Sequence, residues 1–404
     1  MREGWSATTL GAVVTMNPES LSTGQRSTFR YVDLSSVTQD TPIDESSLPA
    51  YSMEDAPGRA RRIIRKGDVL VSTVRPYLRG FACVPSSLDG QVASTGFTVL
   101  RASPTAIDPL YVWALIRLPT FAEHLMQLAT GSNYPAVRPQ DVASFPILLP
   151  PLDEQRRIVD LIASVDEAIQ GAESEAIAAR VLLGALRTEL IDRSDAPRAK
   201  LSDVLETVDG GRSPVTEGRP PGPGERGVLK VSAVRTGQFD FAELKAVSPA
   251  VSLPASALVS VGDVLITRSN TPETVGAVCF VDKVSPQTYL SDLTLRLTPR
   301  PGCLPAYLAA ALTATEARRQ ITASAKGTSG SMRKISRQTI AELTIPLPDR
   351  DVQQSVVSLL DAAAASAKSV HASRAALRCL RSALLSELLS GDHEIPTSYD
   401  HVMV

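Results

Sequence analysis

Residues Gly67-Asp68-Val69-Leu70-Val71-Ser72 return as Gly262-Asp263-Val264-Leu265-Ile266-Thr267, 195 positions further along. Each copy is a Gly-Asp turn opening a short apolar, β-branched run, the pattern of a buried strand. The likeness spreads outward. Gly80-Phe81-Ala82-Cys83-Val84 answers to Gly276-Ala277-Val278-Cys279-Phe280, Pro109-Leu110-Tyr111-Val112 to Pro305-Ala306-Tyr307-Leu308, and Gly131-Ser132 to Gly327-Thr328, all at offset 196. Leu149-Pro150 and Gln155 answer to Leu347-Pro348 and Gln353 at offset 198. Landmarks in one order, with an offset that drifts by three residues, mark a duplicated domain; the period is far too long for a solenoid repeat.

Both halves share one grammar. A strand-rich body comes first, with alternating runs at Phe97 to Arg101 and Leu293 to Leu297. Helical stretches follow at Leu110 to Leu128 and Ala306 to Ala323, then a Gly/Ser loop, then a Pro-rich strand end at 147–151 and 345–348. Each half closes with a long helix. In the first, apolar residues fall at Ile158, Ile162, Val165, Ile169, Ala172, Ala176, Ala179, Leu183, Leu186 and Leu190, an unbroken 4-3 spacing. From Asp153 to Ile191 such a helix would run roughly 58 Å at about 1.5 Å per residue. The second seam carries Val356, Ala363, Val370, Leu377 and Leu384 at strict sevens, with Leu360, Ala367, Arg374, Arg381 and Leu388 alongside. Two arginines interrupt it, and the small alanines in both seams permit close approach.

The expected class is therefore α+β: duplicated domains at 1–148 and 196–346, long helices at 149–195 and 347–391, and a tail at 392–404. The helices are expected to form an antiparallel two-helix coiled coil with an approximate two-fold relation between the halves. The alternative is that they are ordinary surface helices of each domain. The length of 404 residues suits two cores. Net charge is −2, but its distribution is uneven: 196–346 holds 18 basic against 13 acidic residues, whereas 149–195 holds 5 against 10. A local basic patch, not total charge, is what phosphate binding requires.

The Gly-Asp-Val-Leu strands, the Gly-Ser/Thr loops before a Pro-rich strand, and Leu149-Pro150-Pro151-Leu152-Asp153-Glu154-Gln155-Arg156-Arg157-Ile158-Val159 resemble the specificity subunit of a type I restriction–modification system. The family's form of that run is a proline pair followed by Leu-x-Glu-Gln and an apolar helix. The second copy, 347–354, is degenerate: Asp349 and Val352 stand for the second proline and the glutamate. The resemblance implies two target recognition domains, each reading one half of a split site in double-stranded DNA, with the helix pair as spacer. It also implies docking of two methyltransferase (modification) subunits that carry the S-adenosylmethionine. Restriction subunits with ATP and Mg²⁺ join in some such complexes. The degenerate second run leaves open whether both docking surfaces are equivalent.

No hidden catalytic chemistry competes. The nearest string to an adenine-methyltransferase motif is Asn17-Pro18-Glu19-Ser20, which lacks the second proline and the aromatic residue. No phosphate loop of the GxxxxGK(S/T) type occurs. His124, His371, His393 and His401 are scattered. Cys83, Cys279, Cys303 and Cys379 form no CxxC pair, and the equivalent Cys83 and Cys279 read as small hydrophobes on a buried strand. Met1 to Ser6 resembles no secretory leader and no run of 18 apolar residues exists, so a cytoplasmic chain without membrane spans, metal or cofactor of its own is expected.

Base reading needs donors and acceptors at base edges and cations near phosphates. In the first half the candidates are Arg75 and Arg79 after the Gly-Asp strand, then Asn133, Tyr134 and Arg138 around the Gly131 loop. In the second they are Arg268, Asn270 and Thr271, then Ser331, Arg333 and Lys334, with Arg212 and Ser213 as weaker choices. Each competes with the reading that it is a solvated loop residue, as does the basic run Arg61, Arg62, Arg65 and Lys66. The halves differ most in these loops, so an asymmetric site is expected. Rival functions are a specificity subunit of a related methylation-based defence system, a self-contained DNA enzyme with an unfamiliar motif, and a coiled-coil protein scaffold that binds no DNA.

Overall fold

A computed structural model describes residues 2–22, 28–39, 42–329, 332–393 and 395. Candidate Ser331 and most of the 392–404 tail lie outside the described residues. The helices are α1 (Pro109–Ile116), α2 (Pro119–Leu128), α3 (Pro139–Ala143), α4 (Leu152–Arg187), α5 (Leu201–Val204), α6 (Pro305–Thr313), α7 (Thr315–Ser324), α8 (Arg337–Glu342) and α9 (Arg350–Leu389). No helix among the described residues is long and apolar enough to cross a membrane.

The chain divides into two compact units, Met1–Glu173 with Ala372–Val404, and Ser174–His371. The divisions fall inside α4 and α9, not at their starts, so each unit owns part of both long helices.

In the first unit a four-stranded antiparallel sheet has the order Val14–Met16, Phe97–Ala102, Val69–Ser72, Phe81–Cys83. In the second unit the order is Leu205–Gly210, Thr294–Pro299, Val264–Thr267, Val278–Phe280, the same topology. The repeated Gly-Asp strand lies in the interior of each sheet, which is why Val69, Leu70 and Val71, and Leu265 and Ile266, are all fully buried. A second sheet in each unit contains one parallel pair, Tyr31 with Val92 and Gly227 with Thr288. The α+β expectation holds.

The Gly-Asp motif has a physical reason in both copies. Gly67 and Gly262 turn at φ +81° and +97°, where a side chain is strained. Asp68 accepts the Arg65 backbone N–H at 2.8 Å and two bonds at 2.8 Å from Arg101 on the neighbouring strand. Asp263 accepts the Ser260 N–H at 2.9 Å and pairs with Arg296 at 3.2 Å. The carboxylate thus stops the turn and holds the adjacent strand. The Arg61–Lys66 run is partly consumed the same way, because Arg65 pairs with Glu19 at 2.8 Å.

The helical stretch expected at 110–128 is two helices, broken before Pro119, whose ring cannot continue the ladder. That expected at 306–323 breaks at Ala314, held extended at ψ 157°, a break with no proline to announce it. The first long helix ends at Arg187 and widens into a π turn over Thr188–Asp192.

Every seam position read from the spacing is buried or half-buried along α4 and α9. In the first unit Ile158 and Ile162 share a core with Leu385, Leu388 and the flanking Leu384, and Ile169 is buried while Val165 is half-buried. Asp166 meets Arg381 at 3.2 Å, and Glu173 pairs with Arg378, so the two segments run antiparallel there. In the second unit Leu183 and Leu186 pack against the core holding Val356 and Leu360. Val370 and Leu377 are half-buried. The interrupting arginine at 381 meets the Asp166 carboxylate, which it shares with Arg117.

Gln155 and Gln353, three residues into the long helices, are fully buried. Gln155 donates to the Ala106 and Pro150 carbonyls (3.2 and 2.8 Å) and accepts the Asp108 N–H (2.8 Å). Gln353 donates to Gly302 and Pro348 (3.0 and 2.8 Å) and accepts from Leu304 (2.8 Å). Tyr111 and Tyr307 repeat in the same way, each giving its hydroxyl to a strand-end carbonyl at 3.0 Å, Leu148 and Pro346. These side chains satisfy loop carbonyls that burial would otherwise leave unpaired.

Candidate nucleic-acid interface

In each half the chain leaving the Gly-Asp strand bridges to the Gly loop some 60 residues later. In the first, Val74 bridges Ala136, and the Arg75 N–H donates to the Pro135 carbonyl at 2.7 Å. In the second, Ser269 and Asn270 pair with Lys334 and Arg333, and the Ile335 N–H donates to Arg268 at 2.9 Å. The two groups of candidates in each half therefore form one surface.

Arg75 and Arg79 flank a short 3-10 turn, Pro76–Leu78, and both sit at positive φ, +50° and +51°. Non-glycine residues in that region carry strain of order 1 kcal/mol or more, which marks a place the fold over-determines. The Arg75 guanidinium lies over the Tyr134 ring at 4.3 Å, and Tyr134 is 67% exposed. An exposed ring with a cation on one face offers stacking area plus fork-shaped donors. Tyr77 and Leu78 project beside it, each 51% exposed. Arg79 is instead turned inward: it donates to the Arg117 carbonyl at 2.6 Å. Asn133 is exposed. Arg138 is exposed but pairs with Asp141 at 3.2 Å, and its backbone N–H donates to the same carboxylate at 2.7 Å. Those bonds hold the Asp141 carboxyl below its usual range.

In the second half Lys326–Ser329, Met332–Lys334 and Ser269–Asn270 form a three-stranded sheet. Lys326 lies directly opposite Lys334 across the strands. Like charges so placed repel unless an anion joins them, and neither lysine has an acidic partner among the described residues. With Arg268 they line a groove of about 480 Å³ that also holds Ser336, Gln338, Thr339 and Glu342. Gly327 is required here: a Cβ would lie 2.5 Å from the Met332 carbonyl oxygen. Lys326 was missed by the sequence reading, although it precedes the Gly327 already singled out. Arg333 reaches the Ala325 carbonyl at 3.4 Å. Asn270 accepts the Thr271 N–H at 2.9 Å, and Thr271 bonds Thr274 at 2.8 Å, so both shape the turn. Arg212 is exposed, and Ser213 bonds Asp292. The adjacent Leu293 carbonyl takes the Arg268 N–H at 2.7 Å, which joins this loop to the same surface.

The equivalent cysteines are held as thiols. Desolvation pushes Cys83 up to about 11 and Cys279 up to about 12. Among the described residues no cluster of three or more His, Cys, Asp or Glu could hold a metal.

The family model described as "Type I restriction modification DNA specificity domain" matches residues 61–179. A solved chain from work on complex assembly and conformational transition of the type I R-M system matches over 97% of this chain and 99% of its own, at TM-score 0.64 and 26% identity. On these matches the chain is similar to the type I restriction–modification specificity subunits. The HindI specificity subunit of Haemophilus influenzae is 28% identical over 121 residues, 30% of this chain and 26% of its own. The EcoEI specificity subunit of Escherichia coli is 28% identical over 165 residues, 40% and 28%. These alignments span about a quarter of each curated relative's length. Residues 61–179 include the Gly-Asp strand, the Arg75–Tyr134 stack, Gln155 and most of α4, so the family's match runs from the Arg75 loop into the long helix.

Proposed function

We propose that the chain is the DNA sequence-specificity subunit of a type I restriction–modification complex. Its two halves read the two parts of an asymmetric site in double-stranded DNA. The helices α4 and α9 act as an antiparallel coiled-coil spacer under a pseudo-two-fold arrangement and dock two methyltransferase subunits. The chain itself supplies no catalytic group. S-adenosylmethionine binds the methyltransferase partners, ATP and Mg²⁺ belong to restriction subunits where these join, and the complex works in the cytoplasm.

The observation that carries this reading is the convergence, in each half, of two distant loops into one exposed surface rich in base-reading and phosphate-holding side chains. The two surfaces differ in chemistry. Arg75 over Tyr134 suits stacking and bidentate base contact, whereas Lys326, Lys334 and Arg268 suit a backbone phosphate with Asn270 and Arg333 nearby for bases. Different surfaces imply different half-sites.

The test is methylome sequencing of a strain expressing the chain with its methyltransferase, against one lacking the chain. A two-part methylated motif that disappears without the chain is expected. A motif that persists unchanged overturns the assignment and favours a protein scaffold.

A further inference from the structure

A chain of four polar residues runs through the first unit from the reading turn to the long helices. Arg79 closes the Pro76–Leu78 turn and donates to the Arg117 carbonyl at the C-terminus of α1, at 2.6 Å. The Arg117 side chain is 3% exposed and grips Asp166 of α4 through two bonds of 2.7 Å. Asp166 also takes Arg381 of α9 at 3.2 Å. Arg75, at the other end of the same turn, carries the Tyr134 stack.

The second copy replaces all four. By the repeat offsets of 196 and 198, Val275 stands for Arg79, Thr313 for Arg117, Ala364 for Asp166 and Leu183 for Arg381. There the corresponding turn is braced from within its own domain. Arg318 of α7 donates to the Val275 carbonyl at 3.0 Å and also to Gly276. The second copy folds with the same sheet order without the charged chain, so the fold does not need it. A buried ion pair is in any case poor evidence of stability, because desolvation offsets its attraction. What a bidentate guanidinium–carboxylate pair does supply is fixed geometry.

We propose that Asp166 is a positioning residue for the first half-site. Through Arg117 and Arg79 it sets the reading turn that presents Arg75 and Tyr134, and through Arg381 it makes that turn sensitive to how α9 lies against α4. In the second half the brace reaches the end of α4 alone: Asp192 takes the Thr315 and Glu316 N–H groups of α7 at 3.0 and 3.2 Å, α7 carries Arg318, and no residue of α9 enters these bonds. First-half recognition therefore responds to shifts of α9 against α4, and second-half recognition does not. The proposal rests on the DNA-reading function above.

The experiment uses the full chain with its methyltransferase partner and measures methylation of DNA duplexes carrying single-base changes in either half of the motif. Arg75→Ala identifies which half the first domain reads. Asp166→Asn is compared with the triple replacement Arg117→Thr, Asp166→Ala and Arg381→Leu, which installs the second copy's residues and leaves no buried charge alone. Both are expected to reduce discrimination about tenfold in that half and leave the other half unchanged, since one base mismatch is ordinarily worth roughly a factor of ten or more. Asp166→Glu should restore most of it. Equal relaxation of both halves, or a two-part motif that both variants read as before, overturns the proposal while leaving the DNA function standing. A wild-type complex that methylates no two-part motif overturns the DNA reading itself.

Discussion

The two halves keep some contacts to within a few tenths of an ångström and discard others completely. Gln155 and Gln353 make the same three bonds, Tyr111 and Tyr307 the same one, and Asp68–Arg101 and Asp263–Arg296 the same cross-strand pair. Arg79–Arg117–Asp166–Arg381 exists once, as does the Lys326–Lys334 face. The retained contacts all satisfy buried backbone groups or stop a turn, jobs with no apolar substitute. The discarded ones join charged side chains to one another, apart from the bond that Arg79 gives the Arg117 carbonyl.

The sharpest way to break this comparison is to remove the shared glutamine. Gln155→Leu and Gln353→Leu each strand two carbonyls and one N–H around a fully buried side chain. Each should cost about 3–5 kcal/mol, on the basis of roughly 1–3 kcal/mol per orphaned group with partial relaxation. Equilibrium urea unfolding measures it, and markedly unequal losses would show that the two sites are not the same device.

A smaller effect sharpens the contrast between reading surfaces. Lys326→Ala should weaken DNA binding about equally for all sequences and flatten the slope of log affinity against log salt by about one. Arg75→Ala should instead relax base preference in the other half-site with little change in slope. A Lys326 variant that alters which bases are preferred contradicts the phosphate role.

The smallest effect is in acid. Glu19 accepts from Arg65 and Arg101, and these bonds lower its carboxyl to about 2 from an ordinary 4.5. A depressed folded-state value means the stabilisation is complete above about 4.5 and is lost as pH falls toward about 2. The strand registers set Ser213 in the place of Glu19, so the second half lacks this arm. Glu19→Gln should lower stability at pH 7 and remove that part of the acid dependence. Unfolding curves at pH 7 and pH 3 that shift by the same amount in wild type and variant would contradict it.

Much of this was legible in the residues alone. The repeat announced two like bodies because identical turn and strand chemistry recurred at a constant offset. The 4-3 spacing named the seam of both long helices because helical periodicity decides which side chains can be buried together, whatever they meet. Gln155 and Gln353 stood out only as a matched pair; their role waited on loops some 50 residues away. The candidate DNA contacts lie on separate loops of the chain, and residue type alone could not rank Arg75, beside an exposed ring, above Arg79, turned inward to a helix end.

Sequence by itself showed the recurring landmarks, the α+β class and the periodic apolar positions of the long helices, since each depends on local pattern or on residue chemistry. Only the tertiary structure decided that the two loops of each half share one surface, that Lys326 faces Lys334, that Asp166 joins three elements in one copy, and that the compact units divide within the long helices. Those facts depend on which distant backbone groups meet, and a side chain's role follows from the partner that folding brings to it.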